Sequence, residues 1–282
     1  MVASSKLHHA QIAIQNMLPY ENLLEHILKA FLASRQEAES PFEIGHKNVR
    51  KVVLMVFSSN SSLCGGFNSN IIKMMQQTVE EYEQQGIDEI TIYPIGRKIA
   101  EKAIKLGLRC ADNFTELADK PNAKQCAEIS EILSAKFLNG EVDKVEMIYH
   151  HFKSAGSQIL TRKCFLPIDL STEIGSDNDR DLSSNIATAK AQEYLRKKKQ
   201  KEQSNIREVK PLNDDFIVEP SLEFVLETLT PKLLNLMVYT ALLDSNASEH
   251  AARMVAMQTA TDNADELLRD LSLQYNKSRQ QA

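Results

Sequence analysis

One short stretch has the composition of a phosphate-binding loop. SSNSSLCGGFNSN, at positions 58–70, follows an apolar run and precedes a helical pattern. A glycine-containing turn between a strand and a helix is where a nucleotide-binding fold holds phosphate, because the first helical amides point at the anion. The stretch matches neither GxGxxG nor GxxxxGK[ST], and it contains no lysine. Tight backbone packing at Gly65 and Gly66 is therefore the favoured interpretation.

Histidines and cysteines are the other residues whose side chains could bind a metal or take part in catalysis. His8–His9 and His150–His151 are adjacent pairs, and neighbouring side chains point in different directions, so neither pair is a natural bidentate metal site. The four cysteines are widely spaced without a CxxC pair, which predicts buried thiols in a reducing compartment. HExxH and GxSxG are absent. The sequence predicts no catalytic residue, metal or cofactor, and no bond chemistry by this chain alone.

Composition argues against several other classes of function. The 282 residues are 43% hydrophobic and carry a net charge of −5, so we expect a folded core and neither nucleic acid nor an anionic membrane surface as partner. The basic run RKKKQKE at 196–202 has only Tyr194 as a nearby aromatic. We therefore interpret this run as part of a solvated helical or flexible segment rather than as a surface that binds nucleic acid. Without a long apolar run or a signal peptide, the sequence predicts a soluble intracellular protein.

The middle of the sequence alternates strands and helices. Apolar runs predict the strands, and patterns of helical period lie between them. The predicted strands are 52–57, 90–95, 145–152 and 159–168, and the predicted helices are 69–85, 98–106 and 123–138. A turn at 154–157 joins the last two strands as a hairpin. This order predicts a small, mainly parallel α/β sheet with an antiparallel addition.

The two ends of the sequence predict long helices. Apart from Pro19, neither glycine nor proline occurs in 1–40, and neither occurs in 232–282. Both ends show alternating steps of three and four, the period of a coiled-coil seam rather than the wider stripe of a globular-domain helix. The seam positions are Ala3, Leu7, Ala10, Ile14, Met17, Glu21, Leu24, Leu28 and Phe31, and Leu222, Leu226, Leu229, Leu233, Leu236, Thr240, Leu243, Ala247, His250, Met254, Met257, Thr261, Ala264, Leu268, Leu271 and Tyr275. We predict an antiparallel intramolecular rod, with a kink or short break at Pro231.

Small and polar residues replace leucine in the second half of the C-terminal seam. A seam buried only against its own partner would carry large aliphatic residues, and the stretch from 247 to 264 does not. The polar residues of its outer faces include Ser248, Gln258, Asp262 and Asn263. We predict that these residues hydrogen-bond to a surrounding surface, and that Arg253 pairs with Glu249 one turn away. The composition fits a rod that is enclosed by other protein without being permanently attached to it.

Three stretches resemble the gamma subunit of F-type ATP synthases, which translocate protons or sodium ions. The family's C-terminal signature is similar to SEHAARMVAMQTATDNADELL followed by LSLQYNKSRQ. The segment after its first strand is similar to SSLCGGFNSN, and its N-terminal helix to MVASSKLHHAQIAIQNMLPY. The resemblance covers nearly the whole chain. It implies an α/β fold class, with a long antiparallel coiled coil of the N- and C-terminal helices plus a central Rossmann-like α/β domain.

The resemblance implies a central rotor shaft without a catalytic site. In the family, the coiled coil lies inside a hexamer of alternating alpha and beta subunits, and the Rossmann-like domain lies beside the epsilon subunit and the c-subunit ring. Ion flow turns the ring and the shaft, and the shaft drives the beta subunits through states of differing nucleotide affinity. The implied location is peripheral, at the cytoplasmic face of a bacterial inner membrane, with membrane association only through the complex.

The motifs that this sequence shares with the family also imply which residues contact the partner subunits. The implied contacts with the alpha and beta subunits are Met1, Arg253, Arg279 and Gln280. The implied foot, which meets the ring or the epsilon subunit, contains Phe216 and Glu219. Val218 stands where some relatives have an aromatic residue, which leaves the detail of this foot open.

The resemblance also divides the chain into parts. We expect an N-terminal coiled-coil helix at 1–40, a Rossmann-like domain at 48–170, a polar insertion and linker at 171–219, and a C-terminal coiled-coil helix at 220–282. The polar insertion is longer than in many relatives, and no function follows from its sequence. Family members carry further residues before the motif that starts here at Met1 and a helical end after RQQA, so we expect this sequence to be truncated at both ends.

Two other functions stay open at this point. One is a nucleotide-binding α/β enzyme whose helical ends serve oligomerisation. The other is a static coiled-coil scaffold, which would require an aliphatic seam throughout. The motifs favour the rotor subunit over both.

Overall fold

The computed structural model describes most of the chain. The described residues are 2–33, 41–42, 45–46, 49–87, 89–111, 114–168, 219 and 221–281. The elements are α1 (Val2–Ala33), β1 (Lys51–Phe57), α2 (Phe67–Gln84), β2 (Glu89–Ile95), α3 (Arg97–Lys105), β3 (Arg109–Cys110), α4 (Thr115–Asp119), α5 (Ala123–Leu138), β4 (Lys144–Ser154), β5 (Ser157–Leu166) and α6 (Leu222–Gln281). The strands and helices predicted for the middle of the chain all occur, and only the short β3 and α4 were not predicted. The predictions for 171–218, including the basic run, lie outside the described residues.

The five strands form one sheet in the order β3-β2-β1-β4-β5. β1 pairs in parallel with β2 and β4, β2 pairs in parallel with β3, and β4 pairs antiparallel with β5. The central strand, KVVLMVF, is buried on both faces after its first residue, as a parallel strand covered by helices on both sides requires. The predicted mainly parallel α/β sheet with an antiparallel hairpin is confirmed.

Helices cover both faces of this sheet. Successive residues of β1 point to opposite faces. Leu54 therefore lies in a core with Ile71 of α2 and Ile99 of α3. Its neighbour Met55 lies in a second core, which includes α5 and Val238 of α6. The terminal helices thus belong to one of the layers that cover the sheet.

The helices α1 and α6 run antiparallel to each other. Leu7 and Ile14, early in α1, pack in a cluster with Ala247, whereas the later Leu28 packs in a core that contains Leu233. The predicted seam of α1 is buried or half-buried at every position from 3 to 28. The predicted antiparallel pairing of the two ends is therefore confirmed.

The helix α6 is continuous through Pro231, so the predicted short break does not occur, whereas the alternative of a kink stays a prediction. A proline inside a helix costs about 3 kcal/mol because it removes a hydrogen bond and crowds the preceding turn. Leu226, Leu233 and Leu234 lie on either side of it and are buried, and each such side chain stabilises the fold by about 1.5–3 kcal/mol. Packing on both sides outweighs the cost of the proline.

The buried surface of α6 is wider than a coiled-coil seam in the first half of the helix, where the predicted seam is one part of that surface. Between 230 and 251 nearly all sides are buried, and residues outside the seam such as Leu234, Val238 and Leu242 pack in the core of the sheet. This happens because α6 lies between α1 and the sheet. A period of 3.5 residues describes only the face toward α1.

Candidate functional site: the joint between α6 and the sheet

The helix α6 crosses the edge of the sheet at which open α/β folds bind ligands. That crevice lies outside the carboxyl ends of the strands, where the strand order reverses. Here the order reverses beside β1, since β2 lies on one side of it and β4 on the other. A pocket at this edge is lined by 57–60 and by Ser245, Asn246 and Glu249 of α6. The crevice is therefore occupied by the protein's own helix.

The helix amides nearest this crevice are bonded within the chain. The first three amides of α3 donate to the segment that follows β1: Arg97 N to Asn60 Oδ1 at 2.8 Å, Lys98 N to the Ser59 carbonyl at 3.2 Å, and Ile99 N to Ser58 Oγ at 3.0 Å. Such amides are the groups that bind phosphate in nucleotide sites. In this protein they connect two loops of the same domain instead.

Gly96, directly before α3, permits this close approach. Its φ is +111°, and a Cβ atom there would lie 2.2 Å from the Ser58 carbonyl oxygen. No side chain fits at that distance. Gly96 was not predicted from the sequence, although its place between a strand and a helix was the available signal.

The glycine turn at 65–66 lies against α6 rather than around an anion. Gly65 has a φ of +56°, and a Cβ atom there would lie 3.8 Å from Ala256 Cβ and 3.9 Å from the Ala252 carbonyl oxygen. A Cβ atom at Gly66 would meet the Asn70 side chain at 3.4 Å. The positive φ of Gly65 favours glycine at that position, whereas the tight backbone packing expected of the turn stays a prediction. The small residues of α6 lie next to the turn within the chain.

Polar side chains of α6 bond to the sheet and to α4. Ser248 Oγ donates to the His150 carbonyl at 3.1 Å, and Asn246 Nδ2 donates to the Ala118 carbonyl at 2.7 Å. Ser248 is fully buried, so the prediction that it faces a surrounding surface is wrong. Its hydroxyl donates a hydrogen bond to the His150 carbonyl, which would otherwise be buried against the helix without this donor.

His150 and His151 point to opposite faces of β4, as predicted for adjacent strand residues. The His150 ring stacks on Phe67 of α2 with centroids 4.4 Å apart. His151 Nδ1 lies 3.0 Å from a carboxylate oxygen of Asp244 on α6. Burial lowers the pKa of His150 to about 4, so its imidazole is neutral at neutral pH.

Arg253 connects the glycine turn to α6. Its guanidinium donates to the Ser62 carbonyl at 2.9 Å and to Ser61 Oγ at 2.7 Å. Its Nε donates to Glu249 Oε1 at 2.9 Å, which confirms the predicted pair. The side chain is only 20% exposed. The residue that the resemblance assigns to the catalytic subunits is thus largely engaged within its own chain.

Glu249 is the acidic centre of this cluster. Burial alone would raise its pKa, but hydrogen bonds and charges from His250 and Arg253 outweigh burial and hold the pKa below its ordinary value. His250 Nδ1 lies 2.6 Å from Glu249 Oε2. The carboxylate is therefore ionised at neutral pH, and its charge helps to orient the guanidinium.

Beyond this joint α6 continues as an exposed helix. All residues from 257 to 281 are exposed, including the seam positions Leu268, Leu271 and Tyr275. Arg279 and Gln280 are exposed at its end. At about 1.5 Å per residue, Arg279 lies about 40 Å from Arg253 along the helix. The structure does not bring these residues into one site.

The remaining residues suggested by the resemblance lie elsewhere. Glu219 is exposed, just before the start of α6, at the opposite end of the helix from Arg279. Met1 and Phe216 lie outside the described residues. Within the described ranges, no three His, Cys, Asp or Glu side chains are grouped as metal ligands would be.

The sequence is similar to known proteins over its full length. The sequence model of the family described as ATP synthase matches residues 1–282. The chain is 47% identical over 282 residues to the ATP synthase gamma chain of Phocaeicola vulgatus, covering 100% of this chain and 86% of that protein. It is 46% identical over 284 residues to the ATP synthase gamma chain of Bacteroides thetaiotaomicron, covering 100% of this chain and 87% of that protein.

Solved structures show the same architecture. One similar chain comes from the central stalk and c-ring of Tetrahymena thermophila mitochondrial ATP synthase, with a TM-score of 0.58, 22% identity, and coverage of 93% of this chain and 96% of that chain. Another comes from the rotor of Euglena gracilis mitochondrial ATP synthase, with a TM-score of 0.51, 17% identity and coverage of 98% of both chains. At such identities the likeness shows the fold, and the predicted fold class is confirmed.

Proposed function

The chain belongs to the ATP synthase family as a gamma chain, the subunit of the central stalk, and on that premise we propose that it works as the rotor shaft of an F-type enzyme. It couples ion flow through the membrane ring to the conformational cycling of the catalytic beta subunits, in synthesis or hydrolysis of ATP. The chain itself contributes no catalytic residue, and the reaction takes place in the beta subunits.

The uncovered seam of α6 is the observation that supports this proposal most strongly. The seam continues from Met257 to Tyr275, about five turns beyond the segment that packs against α1. Leu268 is 65% exposed and Tyr275 is 68% exposed in the chain alone. Monomeric proteins rarely leave a regular apolar row of this length uncovered. A ring of subunits that encloses the helix would cover it.

The asymmetry of the helix provides a mechanism. Between 257 and 271, the apolar seam residues Met257, Ala264, Leu268 and Leu271 follow one side of the helix, and the acidic residues Asp262, Glu266 and Asp270 follow the opposite side. Inside a pseudo-threefold hexamer, such a rod presents a different face to each beta subunit. The contact free energy then differs among the three subunits, and rotation changes which subunit receives which contact. Each beta subunit is thereby shifted in turn among states of differing nucleotide affinity.

We assign contacts with the alpha and beta subunits to Met1, Arg253, Arg279 and Gln280. The exposure of Arg279 and Gln280 at the end of α6 supports their assignment, and an exposed guanidinium can form two parallel hydrogen bonds with a carboxylate of a partner. Arg253 has only a small exposed area left for such a contact.

At the other end of the shaft, we assign Phe216 and Glu219 to contacts with the c-subunit ring or the epsilon subunit. The exposure of Glu219 supports this.

We also propose that the chain associates with the cytoplasmic face of the bacterial inner membrane through the complex. None of the described helices is long and apolar enough to cross a membrane. The same proposal retains the division into helix, Rossmann-like domain, polar insertion and helix at 1–40, 48–170, 171–219 and 220–282.

Mass spectrometry of the native complex tests this function. We expect one copy of this chain for every three alpha and three beta subunits, because a central shaft can occupy only one position on the axis. Equal numbers of this chain and the beta subunit would contradict a central position. A chain that does not copurify with the alpha and beta subunits would contradict membership of the working rotor.

A further inference from the structure

The turn after β1 is firmly attached to the α/β domain. We call residues 59–66 the clasp loop. Asn68, in the first turn of α2, donates from Nδ2 to Ser59 Oγ at 2.8 Å and to the Ser61 carbonyl at 3.2 Å. Asn60 Nδ2 donates to Asp119 Oδ2 of α4 at 2.7 Å. The loop therefore moves with the domain.

The tip of the clasp loop has an unusual backbone. Leu63 has a φ of +67° and Gly65 a φ of +56°. A leucine rarely adopts this left-handed region, and it remains there only where surrounding contacts hold the backbone in place. The contacts that hold this tip come partly from α2, where Asn68 Nδ2 lies 3.1 Å from Cys64 Sγ, and partly from α6.

Two independent contacts connect the clasp loop to α6. The first is polar, since Arg253 reaches both the Ser62 carbonyl and Ser61 Oγ. The second is one of proximity, since a Cβ atom at Gly65 would be in van der Waals contact with Ala256 Cβ and the Ala252 carbonyl oxygen. These contacts are also the last described ones before α6 becomes exposed at 257. Torque between the exposed end of α6 and the domain passes through these contacts together with the packing of residues 230–251 against the sheet.

We propose that the clasp loop and α6 form a rigid clasp that fixes the α/β domain to the shaft, with Arg253 as its positioning residue. This inference rests on the proposed rotor function. In the working complex, the clasp prevents the domain from turning relative to the helix, so rotation of one is passed fully to the other. Arg253 acts through the clasp loop rather than through the catalytic subunits.

A disulfide that replaces the clasp gives a direct test. A Cβ atom at Gly65 would lie 3.8 Å from Ala256 Cβ, which is about the mean Cβ–Cβ distance of a disulfide, roughly 3.8 Å. Gly65→Cys and Ala256→Cys are introduced together into the complete complex in membrane vesicles, with and without Arg253→Ala. ATP hydrolysis and ion pumping are measured, and their ratio reports coupling. Each single cysteine variant is the matched control.

The clasp predicts three results. Arg253→Ala alone loses ion pumped per ATP hydrolysed while hydrolysis continues. Oxidation restores the ratio in the triple variant, and reduction removes it again. Oxidation of the double-cysteine variant that retains Arg253 leaves the ratio unchanged, because the clasp does not move during rotation.

Other results would overturn the proposal. If oxidation stops hydrolysis in the variant that retains Arg253, the loop must move and is not a rigid clasp. If Arg253→Ala is not rescued by the disulfide, or does not change the ratio, Arg253 acts elsewhere. Failure of the unsubstituted chain to assemble with alpha and beta subunits is a different result, which would reject the rotor function itself.

A second measurement on the full chain decides the case if the cysteines do not pair or the variant does not fold. Arg253→Ala and Ser61→Ala are combined in a double-mutant cycle of thermal unfolding. The clasp predicts that the two decreases in Tm are not additive, because the substitutions remove the same contact. Arg269→Ala, exposed on distal α6, is the control and should be additive with Ser61→Ala. Additivity for Arg253 would contradict the clasp.

Discussion

The two halves of α6 share one sequence period but have opposite environments. Up to 254, the helix lies between α1 and the sheet, and Leu243 is only 3% exposed. From 257 onward the same pattern of steps continues, yet Leu268 is 65% exposed. Periodicity therefore identifies the helix, whereas burial depends on what else is present. The proximal half is completed by its own chain, and the distal half requires a partner.

Truncating the seam in each half gives the largest expected difference. Leu243→Ala should lower the free energy of unfolding of the isolated chain by about 2–5 kcal/mol, because it leaves a cavity in a packed cluster. Leu268→Ala should change it by less than about 0.5 kcal/mol, because the side chain is exposed. Chemical denaturation measures both. Equal losses would show that the distal seam is already covered in the isolated chain.

Acid should lower the free energy of unfolding of the isolated chain through protonation of His150. Its pKa in the folded chain is about 4, against an ordinary value of 6.5, so between these values the unfolded chain binds a proton that the folded chain does not. Stability should therefore fall as pH decreases from about 6.5 to about 4, by on the order of 3 kcal/mol in total. His150→Phe, which retains a ring against Phe67, should remove this loss. His9→Phe, at an exposed position, should leave the pH dependence unchanged; a flattened profile in that control would place the titration elsewhere.

Enlarging a small seam residue sharpens the same contrast. Ala247 is fully buried between α1 and the strand that carries Phe152, so Ala247→Leu should destabilise the isolated chain by about 1–3 kcal/mol through overpacking. Ala264 is an exposed seam position, and Ala264→Leu should have almost no effect on Tm. A tolerated leucine at 247 would mean that close approach of the helices is not required there.

Removing one hydroxyl from each half gives the smallest effects, with opposite signs. Ser248→Ala leaves the buried His150 carbonyl without its 3.1 Å donor and should cost about 1 kcal/mol. Ser272 Oγ only donates back to the Leu268 carbonyl at 2.7 Å on an exposed surface, and Ser272→Ala should stabilise the helix by a few tenths of a kcal/mol, about the difference in helix propensity. Thermal unfolding of both variants measures these effects. Two Tm shifts of the same sign would contradict the expected difference between the buried and the exposed hydroxyl.

Much of the fold could be predicted because it follows from local patterns. The seam of α1, the strand at 52–57 and the hairpin turn at 154–157 depend on residues that are close in sequence. The surroundings of α6 could not be predicted in this way. Its period reports the face toward α1, but it carries no information about the sheet on the other side, so Ser248 was assigned to the wrong surface and the break at Pro231 was expected.

The contacts of charged residues were also beyond the sequence. Arg253 could be paired with Glu249 from spacing alone, but the clasp loop lies about 190 positions away in the chain, and only tertiary structure brings it near. Gly96 had no recognisable motif, although its backbone admits no other residue. The assignments of Met1, Arg279, Gln280, Phe216 and Glu219 to partner subunits stay predictions, because they concern surfaces of a complex.

Observation of rotation in single complexes is the most direct test of the proposed rotor function. The alpha and beta subunits are fixed to a surface, and a bead is attached to the α/β domain through Lys105→Cys, an exposed position on α3. We predict that the bead turns in one direction when ATP is added, because the exposed end of α6 turns inside the hexamer of alpha and beta subunits. A bead that stays still while the same complexes hydrolyse ATP would contradict the proposal that this chain is the shaft.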